Sequence, residues 1–162
     1  MGEVVSVIDS SSLIAIKSTI PIPKRADLYR ALSAMAIEGR LAVPPQVVDE
    51  MKRGAKAKLK DEALDWLLSV EQRIVVVPGL DFVKTVIERV GDVVDHAQDS
   101  GEDNADPYVI AVAMSLRDQG QKVRIVTEDR RDRLKLSLTT AASVFDVSAT
   151  PLVGFIRAER IL

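Results

Sequence analysis

The chain contains no cysteine and a single histidine, His96. Without cysteine there is no disulfide, no thiolate zinc site and no thiol nucleophile, and one histidine leaves a histidine-based triad or histidine-rich metal site without parts. Any metal here must be held by oxygen. Long apolar runs are also missing: none approaches the roughly 20 residues needed to cross a bilayer, and the opening MGEVVSVIDSSS lacks the basic and apolar regions of a secretory signal. The expectation is a cytoplasmic protein with no membrane association. A basic excess is absent too, since the net charge is −2, whereas phosphate-binding surfaces usually show one. The distribution of charge says more than its sum. Lys52, Arg53, Lys56, Lys58 and Lys60 crowd one short segment, and Arg130, Arg131, Arg133 and Lys135, interrupted by Asp132, crowd another. Each run has a plain alternative as a solvated helix face.

What is present fits one folded unit. At 162 residues, 47% hydrophobic and 28% charged, the chain suits one domain spanning 1–162 with a single core, far from the composition of disorder. Short apolar runs alternate with longer amphipathic stretches, without repeat or linker. Strands are expected at residues 4–8, 41–43, 74–77, 123–126 and 147–149. Helices are expected near 24–38, 45–53, 59–71, 81–97, 106–116, 139–145 and 151–160, the fifth almost uniformly apolar and therefore central. This pattern predicts an α/β fold: a doubly wound, mostly parallel five-stranded sheet with helices on both faces. Ligands of such sheets bind outside the strands' carboxyl ends, where strand order reverses.

Acidic residues stand at those ends. Asp9 directly follows the first strand, Glu50 lies near the start of the helix after the second, Asp106 precedes Pro107 at the start of the central helix, and Glu128 and Asp129 close the fourth strand. In a parallel sheet these positions fall near one edge, so acids distant in sequence can converge. Converging carboxylates repel one another unless a cation compensates, and Mg²⁺ or Mn²⁺ suits an all-oxygen set. Each acid also has an ordinary explanation. Asp106 before a proline is what a helix N-cap looks like, Asp9 can cap a turn through Ser11 or Ser12, and Glu50 can be a solvated helix residue. Spacing leaves open whether Glu128 or Asp129 faces the site. Asp103 reads as loop polarity and His96 as surface. The serines after Asp9 have no base partner, so orienting Asp9 or a water suits them better than nucleophilic attack.

Taken together, VSVIDSSSLI, VPPQVVDEM, NADPYVIAVA and VRIVTED resemble the four successive acidic motifs of PIN domains, in order, over residues 4–129. The tail SLTTAASVFDVSATPLVGFI is similar to the end of a PIN-like bacterial and archaeal family of poorly assigned function, whose members resemble VapC-type toxins. The resemblance implies a metal-dependent ribonuclease acting on RNA, often the toxin half of a toxin–antitoxin pair with an antitoxin protein as partner, and often a homodimer. It implies that Asp9, Glu50 and Asp106 hold the metal, with Asp129 the usual fourth acid and Glu128 a neighbour able to replace it. Ser11 matches the small hydroxyl residue after the first acid, and Thr127 the threonine ending the fourth strand. One departure stands out: the family's Thr-x-Asp pattern carries one acid, whereas Glu128 and Asp129 stand together here and an arginine-rich stretch follows. Lys52, Arg53, Lys56, Arg130 and Arg131 are the candidate RNA-binding cations. The competing reading is a catalytically silent PIN-fold module that binds RNA or protein.

Overall fold

A computed structural model describes residues 3–55, 61–90, 105–128 and 137–162. Asp129, Lys56, Lys58, Lys60, Arg130, Arg131, Arg133, Lys135, His96 and Asp103 lie outside them. Four parallel strands form the sheet: β1 (Val5–Ile8), β2 (Leu41–Ala42), β3 (Val123–Val126) and β4 (Ala149–Thr150), in the spatial order β2-β1-β3-β4. Successive strand residues point to opposite faces, yet all four residues of β1 are buried, so this strand is covered on both sides. The chain leaves β1 for its neighbour on one side and leaves β3 for its neighbour on the other. Strand order therefore reverses between β1 and β3.

The expected strand at 74–77 is replaced by one parallel bridge between Val43 and Val75 beside β2. Two backbone bonds make it, from Val43 N to Ile74 O at 2.9 Å and from Val76 N to Val43 O at 2.8 Å. A helix claims the start of that segment. α4 (Glu62–Ile74) buries Ala63, Trp66, Leu67, Val70 and Ile74 along one face, so Ile74 belongs to the helical stripe. Pro78 then ends the run, having no N–H to offer a ladder. The sheet of the described residues is four-stranded, not five-stranded.

α1 (Ser10–Thr19) occupies a stretch with no helical expectation. Its serines, β-branched isoleucines and threonine are indifferent helix formers, but Leu13 and Ile16 are buried and hold it in place. α2 (Ile22–Ile37) and α3 (Pro45–Ala55) flank β2, and α5 (Leu80–Val90) packs on α6 (Asp106–Asp118), which lies against β1 and β3. Nine of the thirteen residues of α6 are buried, which makes it the central helix. The N-cap of α6 is Ala105, so Asp106 is the first helical residue and not the expected cap. α7 (Leu138–Val144) and α8 (Leu152–Ala158) close the fold against β4. Among the described residues no helix is long and apolar enough to cross a membrane.

Toward the amino ends of the strands, Glu159 binds both Arg40 and Arg124, and Arg124 Nε donates to Ser6 Oγ at 2.9 Å. The Glu159 side chain is only 14% exposed, so solvent screens this cluster incompletely. Burial pushes the Glu159 carboxyl up, but the two guanidinium groups outweigh it and hold it below the ordinary carboxylate range. Its contribution to stability is thus present above the unfolded value and fades as pH falls through the lowered folded one. Replacing Glu159 with Ala removes one partner from each of two partly buried cations, leaving Arg40 to Glu38 and Glu3 and Arg124 to Ser6 Oγ, and is expected to cost roughly 1–3 kcal/mol in urea unfolding at neutral pH. The deficit should shrink in acid; a loss of equal size at pH 3 and pH 7 would contradict the account.

Candidate functional site

The reversal point between β1 and β3 carries Asp9 on one side and Thr127 and Glu128 on the other. Asp9 N donates to Val126 O at 2.9 Å, extending the β1–β3 ladder by one residue. Asp9 occupies the N-cap position of α1 with extended backbone angles, φ −85° and ψ 152°, but its side chain makes no capping bond. Its carboxylate instead accepts Ser11 Oγ–H at 2.7 Å and Thr127 Oγ1–H at 2.9 Å, both on Oδ2. Asp9 is 3% exposed and Thr127 1%. Two hydroxyls from different elements therefore hold one oxygen of a buried carboxylate and fix its orientation. Ser11 Oγ also accepts the Glu128 N–H at 3.0 Å. Each hydroxyl has one hydrogen, so with both directed at Asp9 the 3.2 Å approach of Ser11 Oγ to Thr127 Oγ1 is a contact between lone pairs.

Glu50 reaches the same place from α3. Its Oε1 accepts Ala105 N–H at 3.2 Å, and Ser10 Oγ lies 3.5 Å from its Oε2, the weak limit of a hydrogen bond. One side chain thus joins the starts of α1 and α6 to α3. Burial pushes the Glu50 carboxyl up to about 7, and the negative charge of Asp9 pushes the same way; the Ala105 N–H, the Arg53 charge and Ser10 oppose them only in part. Asp9 and Glu50 are therefore close enough to repel. Asp106, 8% exposed, follows directly on the Ala105 amide that Glu50 holds.

The other candidates divide. Glu128 Oε1 accepts Leu152 N–H at 2.7 Å, at the first residue of α8. Lys52 is exposed and Arg53 half-buried on the last turn of α3. Sequence patterns did not single out Ser10, the Ala105 amide or the Leu152 amide; the three serines after Asp9 were the one legible signal, and backbone amides leave none. Among the described residues no group of three or more acids or histidines has the geometry to hold a metal ion. The donor chemistry nevertheless suits a hard cation, since the Asp9–Glu50 pair is all oxygen and mutually repelling.

The raised Glu50 value has a consequence for stability. Between its ordinary value of 4.5 and the folded value of about 7, the folded chain keeps a proton that the unfolded chain has released. Stability should therefore fall as pH rises from about 4.5 to about 7 and level off above. Glu50→Gln keeps an acceptor for Ala105 N–H and removes the titration. In EDTA it should exceed wild type by about 1–3 kcal/mol above pH 7 and match it below pH 4.5, as read by urea unfolding. Parallel pH profiles for the two proteins would show that Glu50 is not strained in this way.

Comparison with known proteins bears on the fold and the family. The chain has the fold of PAE2754 from Pyrobaculum aerophilum, whose crystal structure it matches with a TM-score of 0.53 at 17% identity over 98% of this chain and 91% of that one. FitAB bound to the IR36 DNA fragment aligns at a TM-score of 0.47 and 18% identity, over 91% of this chain and 94% of that one, below the level that establishes a shared fold. No curated protein matches. The family model described as a domain of unknown function, DUF4411, matches residues 6–162, which takes in β1 from its second residue, the Asp9–Thr127 contact and α8, and the chain belongs to that family.

Proposed function

We propose that this chain is a divalent-metal-dependent endoribonuclease of PIN type, hydrolysing RNA phosphodiester bonds as the toxin component of a toxin–antitoxin pair. The observation that carries the reading is that Glu50, held by Ala105 N–H and approached by Ser10 Oγ, comes to the reversal point of the sheet beside the buried Asp9. Such an arrangement is unfavourable without a compensating cation. Asp9, Glu50 and Asp106 would hold Mg²⁺ or Mn²⁺, with Asp129 as the fourth acid. Bound there, the ion would supply an activated water and offset charge on the phosphoryl oxygens. The protein's own work is orientation: Ser11 and Thr127 fix the Asp9 carboxylate, and Glu50 ties the starts of α1 and α6 to α3 around it. Lys52, Arg53 and Lys56, with Arg130 and Arg131, would hold the RNA backbone beside the acids. An antitoxin that inserts a basic side chain among the carboxylates, and a homodimeric assembly, belong to the same reading and rest on the resemblance of the four motifs.

A second reading has one observation in its favour. Because no group of three acids among the described residues has metal-holding geometry, a silent module of the same fold would use the Asp9–Glu50 edge to bind a basic partner without turnover. Metal-dependent cleavage separates the two. Asn at position 9 keeps an oxygen for Ser11 and Thr127, so Asp9→Asn should fold normally, as should Asp106→Asn. Each should cost at least about 100-fold in RNA cleavage, because losing an ion-holding acid costs more than losing its hydrogen-bonding support, itself worth roughly 10–100-fold. EDTA should stop the wild type. Cleavage by the folded Asn variants at the wild-type rate would displace the nuclease reading.

Neutral replacement of Lys52, Arg53 and Lys56 together should weaken RNA binding and flatten the dependence of log affinity on log salt. Three lost phosphate contacts on a single strand correspond to a slope change of roughly 2. An unchanged slope would return this run to ordinary solvated surface.

A further inference from the structure

Among the described residues near the reversal point, Glu128 directs its carboxylate to the start of α8. We infer that Glu128 does not belong to the ion-holding set but is a positioning residue that clamps α8 to the Asp9 centre, an inference that rests on the hydrolytic reading of that centre. Its two ends are held by different elements. The carboxylate Oε1 accepts Leu152 N–H at 2.7 Å, and the backbone N–H donates to Ser11 Oγ at 3.0 Å. Ser11 passes the link on to Asp9 Oδ2 at 2.7 Å. A continuous chain of three hydrogen bonds thus runs from the first residue of α8 to the carboxylate of Asp9.

The α8 end requires such a partner. The first N–H groups of a helix have no acceptor within it, and the N-cap here is Pro151, which makes no side-chain capping bond. Leu152 is 3% exposed, so water is a poor substitute. A carboxylate at a helix start is also favoured by the helix dipole. The neighbouring geometry keeps α8 in place. A Cβ on Gly154 would stand 2.2 Å from Thr150 Oγ1, so glycine lets the first turn press onto the end of β4. Thr127 N donates to Thr150 O at 3.0 Å, which ties the ends of β3 and β4 together, and α8 also packs on α1, the helix that carries Ser11. For Glu128 to turn toward an ion, Leu152 N–H would lose its partner.

The test uses Glu128→Ala, Glu128→Gln and Glu128→Asp in the full chain, with three readouts: amide hydrogen exchange of the metal-free protein, Mn²⁺ affinity by calorimetry, and the kcat and KM of RNA cleavage. Gln keeps an acceptor at the right reach, whereas Asp keeps the charge but is one methylene short. In the Ala and Asp variants the amides of residues 128 and 152 should exchange about tenfold faster or more, and kcat should fall roughly 10–100-fold with KM changed less than about threefold. Gln should restore both, and should bind Mn²⁺ within about threefold of wild type. A Gln variant that loses Mn²⁺ binding as Asp9→Asn does would make Glu128 an ion-holding acid and overturn the inference. So would an Ala variant with faster exchange at residue 152 alone and an unchanged kcat, the signature of a mere helix cap, or an Asp variant that behaves like Gln. A wild type that neither binds Mn²⁺ nor cleaves RNA would remove the hydrolytic reading. The exchange data would still decide whether the clamp exists.

Discussion

The parallel pairing of β1 with β3 is the constraint on which the rest of the molecule depends. It runs from Val5 opposite Val123 to Ile8 opposite Val126, and Asp9 N continues it by one more bond to Val126 O. Because the register is set along the buried strands, the first residue after each strand is delivered to the same height. Asp9 and Thr127 are those two residues, and their contact follows from the ladder. Because the chain departs from β1 and β3 toward opposite neighbours, strand order reverses between them, and a polar site can form there inside an otherwise apolar interior.

The two ends of the sheet handle buried charge in opposite ways. Toward the amino ends, Glu159 sits between Arg40 and Arg124, and the pairing more than offsets its desolvation. Toward the carboxyl ends, Glu50 is raised by burial and by Asp9, with Arg53 only partly opposing. The first arrangement is self-sufficient and reads as structure. In the second, Ala105 N–H, Arg53 and Ser10 offset the burial of Glu50 and the charge of Asp9 only in part, and the proposed function rests on that site and not on the larger ionic cluster.

Elements with a strong local pattern were legible before any coordinates. The apolar run of β1, the proline that opens α3, the amphipathic stripe of α5 and the nearly all-apolar α6 each carry their own signal. The failures share a cause. Residues 74–77 look like a strand because they are β-branched, but Ile74 completes the stripe of α4, and helical packing outweighed local preference. α1 looks like a turn because it opens with serines, and only the burial of Leu13 and Ile16 reveals the helix. Asp106 was one position from its expected place, within the usual uncertainty of helix ends.

By itself the sequence determined which side chains are available: oxygen ligands without sulfur, one histidine, and acids placed after strands and at helix starts. It also determined the alternation of elements, and so the parallel α/β class. Tertiary structure alone decided what each acid touches. Asp9 turns away from capping α1 toward two hydroxyls, Glu50 joins three helix segments, and Glu128 faces the start of α8. The physical reason is that a carboxylate's role depends on which donors and charges lie within a few ångströms. Those neighbours come from positions as far apart as Ser11 and Thr127, which become adjacent only when the sheet forms.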